Sequence, residues 1–135
     1  MFRRILLLAI LPGMLLSALQ ASEVNSVDLQ TTTESGISVQ IVSDMSPIGI
    51  NQIHSWHLTL TDSTGNPLTG AGLTLIGGMP DHDHGLPTLP LITEQAQAGT
   101  YLLEGVRFHM PGKWQITLTI IHHSGTETAV IDLQL

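Results

Sequence analysis

The feature that most constrains the fold is a strict alternation of apolar and polar residues in short runs. Trp114, Ile116, Leu118 and Ile120 alternate with polar side chains. Successive side chains of a β-strand point to opposite faces, so a period of two places these apolar residues on one buried face. The chain after residue 35 shows no convincing run of helical period, and the sequence therefore predicts an all-β fold.

The alternating runs are short, and clusters of turn residues separate them. We expect about seven strands, over residues 37–43, 53–61, 71–76, 89–93, 99–108, 114–120 and 128–135. This spacing is typical of an immunoglobulin-like antiparallel β-sandwich, with Trp56 as a core anchor and Tyr101 as a tyrosine corner. The chain has 135 residues and no Cys. One hydrophobic core must therefore hold the domain without disulfides.

The N-terminal region departs from this pattern. A basic pair, Arg3-Arg4, precedes an apolar run that ends near Leu19. This is the pattern of a secretory signal peptide, and we expect cleavage after Ala21. The alternative is an uncleaved membrane anchor, although Pro12 interrupts the run. We predict a periplasmic or secreted protein with a signal peptide over 1–21, a flexible lead-in over 22–35 that includes a short edge strand at 27–30, and a sandwich over 36–135.

The charge of the chain argues against one class of partner. Without residues 1–21, Arg107 and Lys113 would be the only basic side chains against 11 acidic ones. Such a surface repels phosphate backbones, so we expect no nucleic-acid partner. Its long-range field attracts cations. The sequence does not indicate an oligomeric state.

One short loop concentrates the groups that could carry chemistry. The stretch Met79-Pro80-Asp81-His82-Asp83-His84 holds one thioether, two imidazoles and two carboxylates. In an extended loop, His82 and His84 project to the same side, and Met79 reaches the same point if the chain turns at Pro80. Thioether and imidazole suit a copper ion better than Ca²⁺ or Mg²⁺. Zinc, with Asp81 or Asp83 as an oxygen ligand, is the second choice.

A second pair of donors, His109-Met110, precedes the turn residues Pro111-Gly112, which we expect to lie at the tip of a hairpin. Loops of a sandwich gather at its two ends. We therefore predict that this pair lies beside the loop described above. The joint metal site would then consist of Met79, His82, His84, His109 and Met110.

A purely structural interpretation of the same residues stays open. In that interpretation both methionines plug the ends of the core, as adaptable thioether side chains often do, and the loop histidines are solvated residues that hydrogen-bond nearby carbonyls. We interpret His54 as a residue at the edge of the core, with an outer metal ligand as the alternative, and His57 as solvated. His122-His123 flanks a turn, and adjacent strand residues point to opposite faces.

Three spaced motifs resemble the FixH/YtkA-like domain family. They are Gly78-Met79-Pro80-x-His82-x-His84-Gly85, Gly99-x-Tyr101 and Phe108-x-Met110-x-Gly112-x-Trp114. The likeness spans roughly residues 37–135. It implies a small exported or membrane-anchored bacterial β-sandwich domain, with some members linked to copper handling or to the assembly of copper-containing respiratory oxidases. Those assembly members keep an N-terminal membrane helix, whereas the first segment here has the pattern of a cleaved signal.

The sequence thus predicts an exported copper-binding protein that acts as a periplasmic metal chaperone or buffer, in exchange with a periplasmic or membrane copper protein. The alternative is a metal-free accessory or interaction domain that supports a membrane or respiratory complex. A zinc-dependent hydrolase is a weaker third hypothesis. We predict that the protein is not an enzyme, because the chain has no Gly-x-Ser-x-Gly elbow, no Cys nucleophile and no Gly-rich phosphate loop before a helix.

Overall fold

The computed structural model describes residues 28–135 as two antiparallel β-sheets packed face to face. One sheet has five strands in the order β1-β2-β3-β7-β6, and the other has four in the order β5-β4-β8-β9. The strands are β1 (Asp28–Thr32), β2 (Ser38–Ser43), β3 (His54–Thr61), β4 (Gly72–Met79), β5 (His84–Gly85), β6 (Leu91–Glu94), β7 (Thr100–Val106), β8 (Lys113–His122) and β9 (Gly125–Gln134).

The predicted β-sandwich is confirmed, with nine strands where about seven were expected. Beyond the seven are β1, which pairs with β2 and confirms the short edge strand predicted at 27–30 in the lead-in, and the two-residue strand β5, which was not predicted. The predicted signal peptide, with its cleavage after Ala21, lies outside the described residues. Residues 28–135 contain no helix of the length and apolarity needed to cross a membrane.

The core forms where the inward faces of the two sheets meet. The five-stranded sheet contributes Trp56 and the four-stranded sheet contributes Trp114, both with no exposed surface. Phe108 packs between them, with its ring centroid 6.0 Å from that of Trp56 and 5.1 Å from that of Trp114. Alternate strand positions supply the aliphatic remainder, as the period of two predicted.

The connection from β7 to β8 crosses between the sheets. The prediction that His109-Met110 lies at the tip of a hairpin is therefore wrong, because β7 belongs to the five-stranded sheet and β8 to the four-stranded one. The register of β3 and β7 shifts between His54 and Trp56, and Gly105 on β7 has φ +83°. Such a bulge bends the end of a strand, and here it precedes the segment that carries Phe108 into the core.

The Tyr101 hydroxyl hydrogen-bonds to residues 30 and 33 positions upstream. A tyrosine corner, which the sequence suggested, bonds to the backbone only a few residues upstream. The Tyr101 hydroxyl donates to the carbonyl oxygen of Leu68 at 2.8 Å and accepts from the amide of Ala71 at 3.2 Å. It therefore fixes the β3–β4 connection against β7. Burial of the phenol raises the pKa of Tyr101.

Candidate metal site

The first half of the candidate site is the hairpin of β4 and β5. Met79 and His84 are paired across it, and the turn is closed by the His82 amide, which donates to the Met79 carbonyl at 3.1 Å. Pro80 opens this turn, and proline at that position presets the backbone angle that a tight turn needs. The hairpin therefore holds His84 directly opposite Met79 while His82 projects from the turn.

The second half is the sheet-crossing connection, residues 107–112. Its two sides are fixed by different elements of the fold. The amide of Asn51 donates to the carbonyl of Phe108 at 2.7 Å, and the indole Nε1–H of Trp114 donates to the carbonyl of Met110 at 3.1 Å. His109 lies between these two anchored carbonyls, so its backbone position is set by both.

The predicted meeting of the two halves is confirmed. The ring centroids of His84 and His109 are 5.6 Å apart, and those of His82 and His84 are 6.0 Å apart. Two imidazoles that bind one ion place their centroids at most about 6.4 Å apart, since each nitrogen lies about 2.0 Å from the metal and about 1.2 Å from its ring centre. Both separations therefore fall within the reach of a shared ion.

The two thioethers lie deeper than the imidazoles. Met79 is 4% exposed and belongs to the core, whereas Met110 is half-buried against it. The Met79 methyl group occupies the space above Gly112, where an added Cβ would come within 2.9 Å of Met79 Cε. Met79 thus packs in the core, as the structural interpretation predicted. The residue paired with it across the hairpin, His84, has an exposed imidazole.

The donors at this end do not form a ready-made imidazole and carboxylate site. Within residues 28–135, no three His, Asp or Glu side chains form a group that could hold a metal ion. Asp81 and Asp83 are exposed in the turn. A metal bound here would therefore draw on a thioether as well as imidazole, or on a rearranged turn.

One nitrogen at the site has an unmet hydrogen-bonding requirement. His109 Nδ1 is buried and has no hydrogen-bond partner among the described residues, while its ring stands edge-on to Trp114 at 5.5 Å between centroids. Buried polar atoms are almost always paired, so an orphan of this kind calls for an explanation. One explanation is a bound cation, since a neutral imidazole nitrogen such as His109 Nδ1 can act as a metal ligand.

The remaining histidines lie elsewhere. His54 is 4% exposed, its Nδ1 lies 3.1 Å from the Gln52 carbonyl, and it sits at the edge of the core as predicted. His57 is exposed on the outer face of the five-stranded sheet. The His122 and His123 rings are 5.5 Å apart at the β8–β9 turn, and His122 is engaged by Glu127 at 3.3 Å.

Glu127 forms a separate polar cluster at the opposite strand ends. Its carboxylate accepts hydrogen bonds from the hydroxyls of Ser35 and Thr33, and these bonds, with a smaller contribution from His122, hold its pKa below the ordinary value. This cluster ties the β1–β2 turn to the β8–β9 hairpin. It shares no side chain with the Met79 and His109 region.

Sequence reasoning did not assign a role to Trp114 or Gly112 at this site. Trp114 both positions the Met110 carbonyl and packs against the His109 ring. Gly112, with φ +129°, leaves room for the Met79 side chain. A signal was present, because Gly112 and Trp114 follow Met110 at a regular spacing of two residues.

Comparison with known proteins gives one match. The YtkA-like family model matches residues 31–119, which is well over half of the chain and includes both halves of the candidate site. No curated protein and no solved structure matches the chain.

Proposed function

The chain belongs to the YtkA-like family, and on that premise we propose that it is an exported copper-binding domain that buffers or transfers the ion. The site is the end of the sandwich where His84 meets His109, with His82, Met79 and Met110 as further donors. The role is binding and exchange, without catalysis. A periplasmic or membrane copper protein would be the partner in exchange.

The observation that carries this proposal is the approach of His84 and His109. The two residues are 25 positions apart in sequence numbering and lie on different elements, yet their rings are 5.6 Å apart. The unpaired Nδ1 of His109 adds a buried donor atom at the same place. His54 Nε2 is likewise buried at the edge of the core without a hydrogen-bond partner in residues 28–135, so what distinguishes His109 is the second, exposed imidazole of His84 beside it.

Donor chemistry favours copper over other divalent cations. Carboxylate-dependent ions such as Ca²⁺ need several oxygen ligands, and the described residues supply no such group of side chains. Thioether is a soft ligand that selects Cu(I), and imidazole binds copper in either oxidation state. The buried Met79 thioether would therefore favour the reduced ion, which also accepts low coordination numbers.

Titration of the purified protein with Cu(I), in competition with a chelator, tests the proposal. We expect one equivalent to bind, and we expect His84→Ala and His109→Ala each to weaken binding by more than about tenfold. His57→Ala is the matched control, since it removes an exposed imidazole on the outer face of the five-stranded sheet that belongs to neither half of the site.

Met79→Leu separates thioether binding from packing, because leucine preserves most of the apolar volume. The variant should weaken Cu(I) binding more than Zn²⁺ binding while the domain stays folded. Copper binding that survives in the His84→Ala, His109→Ala double variant would contradict the proposed site. Stoichiometric binding of Zn²⁺ in preference to copper would contradict the choice of ion.

Export belongs to the same proposal and rests on the pattern of residues 1–21. We expect the protein recovered from a periplasmic fraction to begin at Ser22. Intact-mass measurement checks this directly, and a full-length mass in a membrane fraction would instead indicate an uncleaved anchor.

A further inference from the structure

The first half of strand β4 has an open edge. Antiparallel β8 pairs with one side of β4 from Gly72 to Gly78, whereas β5 pairs with the other side only at Gly78 and Met79. The Leu86 amide donates to the Gly77 carbonyl at 3.2 Å and ends that pairing. Pro87 follows, and the chain leaves to form β6 in the other sheet.

The direction of the free backbone groups follows from this hydrogen bond. Backbone groups of successive strand residues point to alternate sides, and Gly77 points toward β5. Leu75 and Leu73 therefore point the same way, with their amides and carbonyls directed away from β8. Both residues are paired with β8 on one side, and β6 of the other sheet lies near β4. On the side away from β8, however, the described residues give neither of them a backbone hydrogen bond. An edge of this kind is a template for another strand.

A groove lies along this open edge. We use the name edge groove for a cavity of about 260 Å³ whose lining includes Leu75, Ile76, Leu86, Thr88, Leu89 and Pro90. Ile76 is 70% exposed and Leu89 fully exposed. The Thr88 hydroxyl is buried and has no hydrogen-bond partner among the described residues. An open strand edge supplies main-chain hydrogen bonds to an extended peptide, and an apolar groove beside it supplies pockets for alternate side chains.

Charge further specifies the occupant. Both ends of the β4 edge carry carboxylates. Asp81 and Asp83 follow β4 in the exposed turn, and Glu94 accepts a hydrogen bond from the amide of Gly70 just before β4 begins. A segment with basic residues at its two ends would complement this arrangement.

We propose that the β4 edge binds an extended segment of a partner protein by strand addition, antiparallel to β4 and in line with β5. Two apolar residues of the segment would pair with Leu73 and Leu75 and face the sandwich interior beside the edge groove. Polar residues between them would face solvent, and Lys or Arg would flank both ends. The inference does not depend on metal binding.

The test uses the purified, metal-free protein and a synthetic heptapeptide in which two valines alternate with three threonines between terminal lysines. Amide exchange followed by NMR should show fast exchange at Leu73 and Leu75 in the free protein. Saturation with the peptide should slow both amides by at least about tenfold. Ile76→Lys should weaken peptide binding by about tenfold or more, since residue 76 would pair with a threonine of the peptide and the new charge would lie beside the like charge of a terminal lysine.

Val130→Lys is the matched control, because Val130 lies on the same outer face, separated from Ile76 by Thr117 of β8. N-methylation of the two valine nitrogens should abolish binding, whereas N-methylation of the threonine nitrogens should preserve it. Equal effects of the two methylations would overturn the proposal. Slow exchange of Leu73 and Leu75 before peptide is added would also overturn it, since the edge would then already be occupied by the chain itself or by a second copy.

Discussion

At the scale of single residues, the best-defined electrostatic feature is the turn that follows β3. The Asp62 carboxylate accepts hydrogen bonds from the Thr64 hydroxyl at 2.7 Å and from the Thr64 and Asn66 amides at 2.9 Å each. These bonds, led by that from the Thr64 side chain, lower the pKa of Asp62 to about 2. The negative charge of Asp62 therefore closes the turn and stabilises the native state.

This charge gives the first prediction. A carboxyl group with a lowered folded-state pKa contributes stability above its unfolded-state pKa and loses it as the pH falls through the folded-state value. For Asp62 the loss falls between about pH 3.8 and about pH 2. Asp62→Asn should reduce the free energy of unfolding at pH 7 and flatten its dependence on pH in that window, as measured by urea denaturation.

Thr64→Val provides the companion measurement for this prediction. It removes the strongest of the hydrogen bonds while the carboxylate stays, so the folded-state pKa should rise toward the ordinary value. The acid-induced loss of stability should then be smaller, and complete at a higher pH, than in the native protein. An unchanged profile in both variants would show that the turn contributes nothing to stability. A chemical shift titration of the Asp62 carboxyl carbon gives the pKa directly.

At the scale of elements, packing between the β4–β5 hairpin and the 107–112 connection sets the geometry of the candidate site. The contact depends on glycine at residue 112, since Met79 Cε occupies the space where a Cβ at that residue would lie. The φ of +129° at Gly112 is a conformation that residues with a Cβ rarely adopt. Gly112 is therefore favoured by its backbone conformation, and an added Cβ would also displace the flexible end of the Met79 side chain.

Gly112→Ala should destabilise the domain by about 2–4 kcal/mol, because backbone strain and the displaced Met79 side chain act together. Gly125→Ala is the control, since Gly125 has a similar φ, of +136°, but no atom of residues 28–135 lies within 4 Å of an added Cβ. That substitution should cost only the backbone strain, about 1–3 kcal/mol, and less than Gly112→Ala. Equal losses in urea denaturation would show that contact with Met79 is energetically neutral.

The same elements show what the sequence could and could not predict. Local alternation indicated the longer strands, and Met79 continues the inward-facing series of Leu73 and Leu75, so its burial had a readable signal. The two-residue strand β5 had none, because its pairing depends on the turn geometry after Met79. The crossing of 107–112 between sheets was also hidden, since a turn sequence does not reveal which sheet the next strand joins.

At the scale of the whole molecule, the aromatic cluster connects the two sheets. Phe108 lies in the connection between them and contacts both Trp56 and Trp114. All three side chains are fully buried, and no disulfide supports the core because the chain has no Cys. We therefore expect the two sheets to unfold as one cooperative unit.

Phe108→Ala should lower the free energy of unfolding by about 3–5 kcal/mol, as is usual for a large buried aromatic side chain. Phe108→Leu should cost less than Phe108→Ala if cavity volume sets the loss.

Near-ultraviolet circular dichroism of the Trp56→Phe and Trp114→Phe variants reports on each sheet separately. Their urea midpoints should match those from far-ultraviolet signals of the same variants. Separate midpoints for the two sheets would contradict cooperative unfolding.

The edge-on contact of Trp114 with His109, at 5.5 Å between ring centroids, has an optical consequence. A paramagnetic ion bound to that imidazole would lie close enough to quench the light emitted by the excited indole. Trp56 lies on the far side of the Phe108 ring and would be quenched less. The protein's own fluorescence would therefore report Cu(II) at this end without an attached dye, whereas the closed-shell Cu(I) would not quench it by this route.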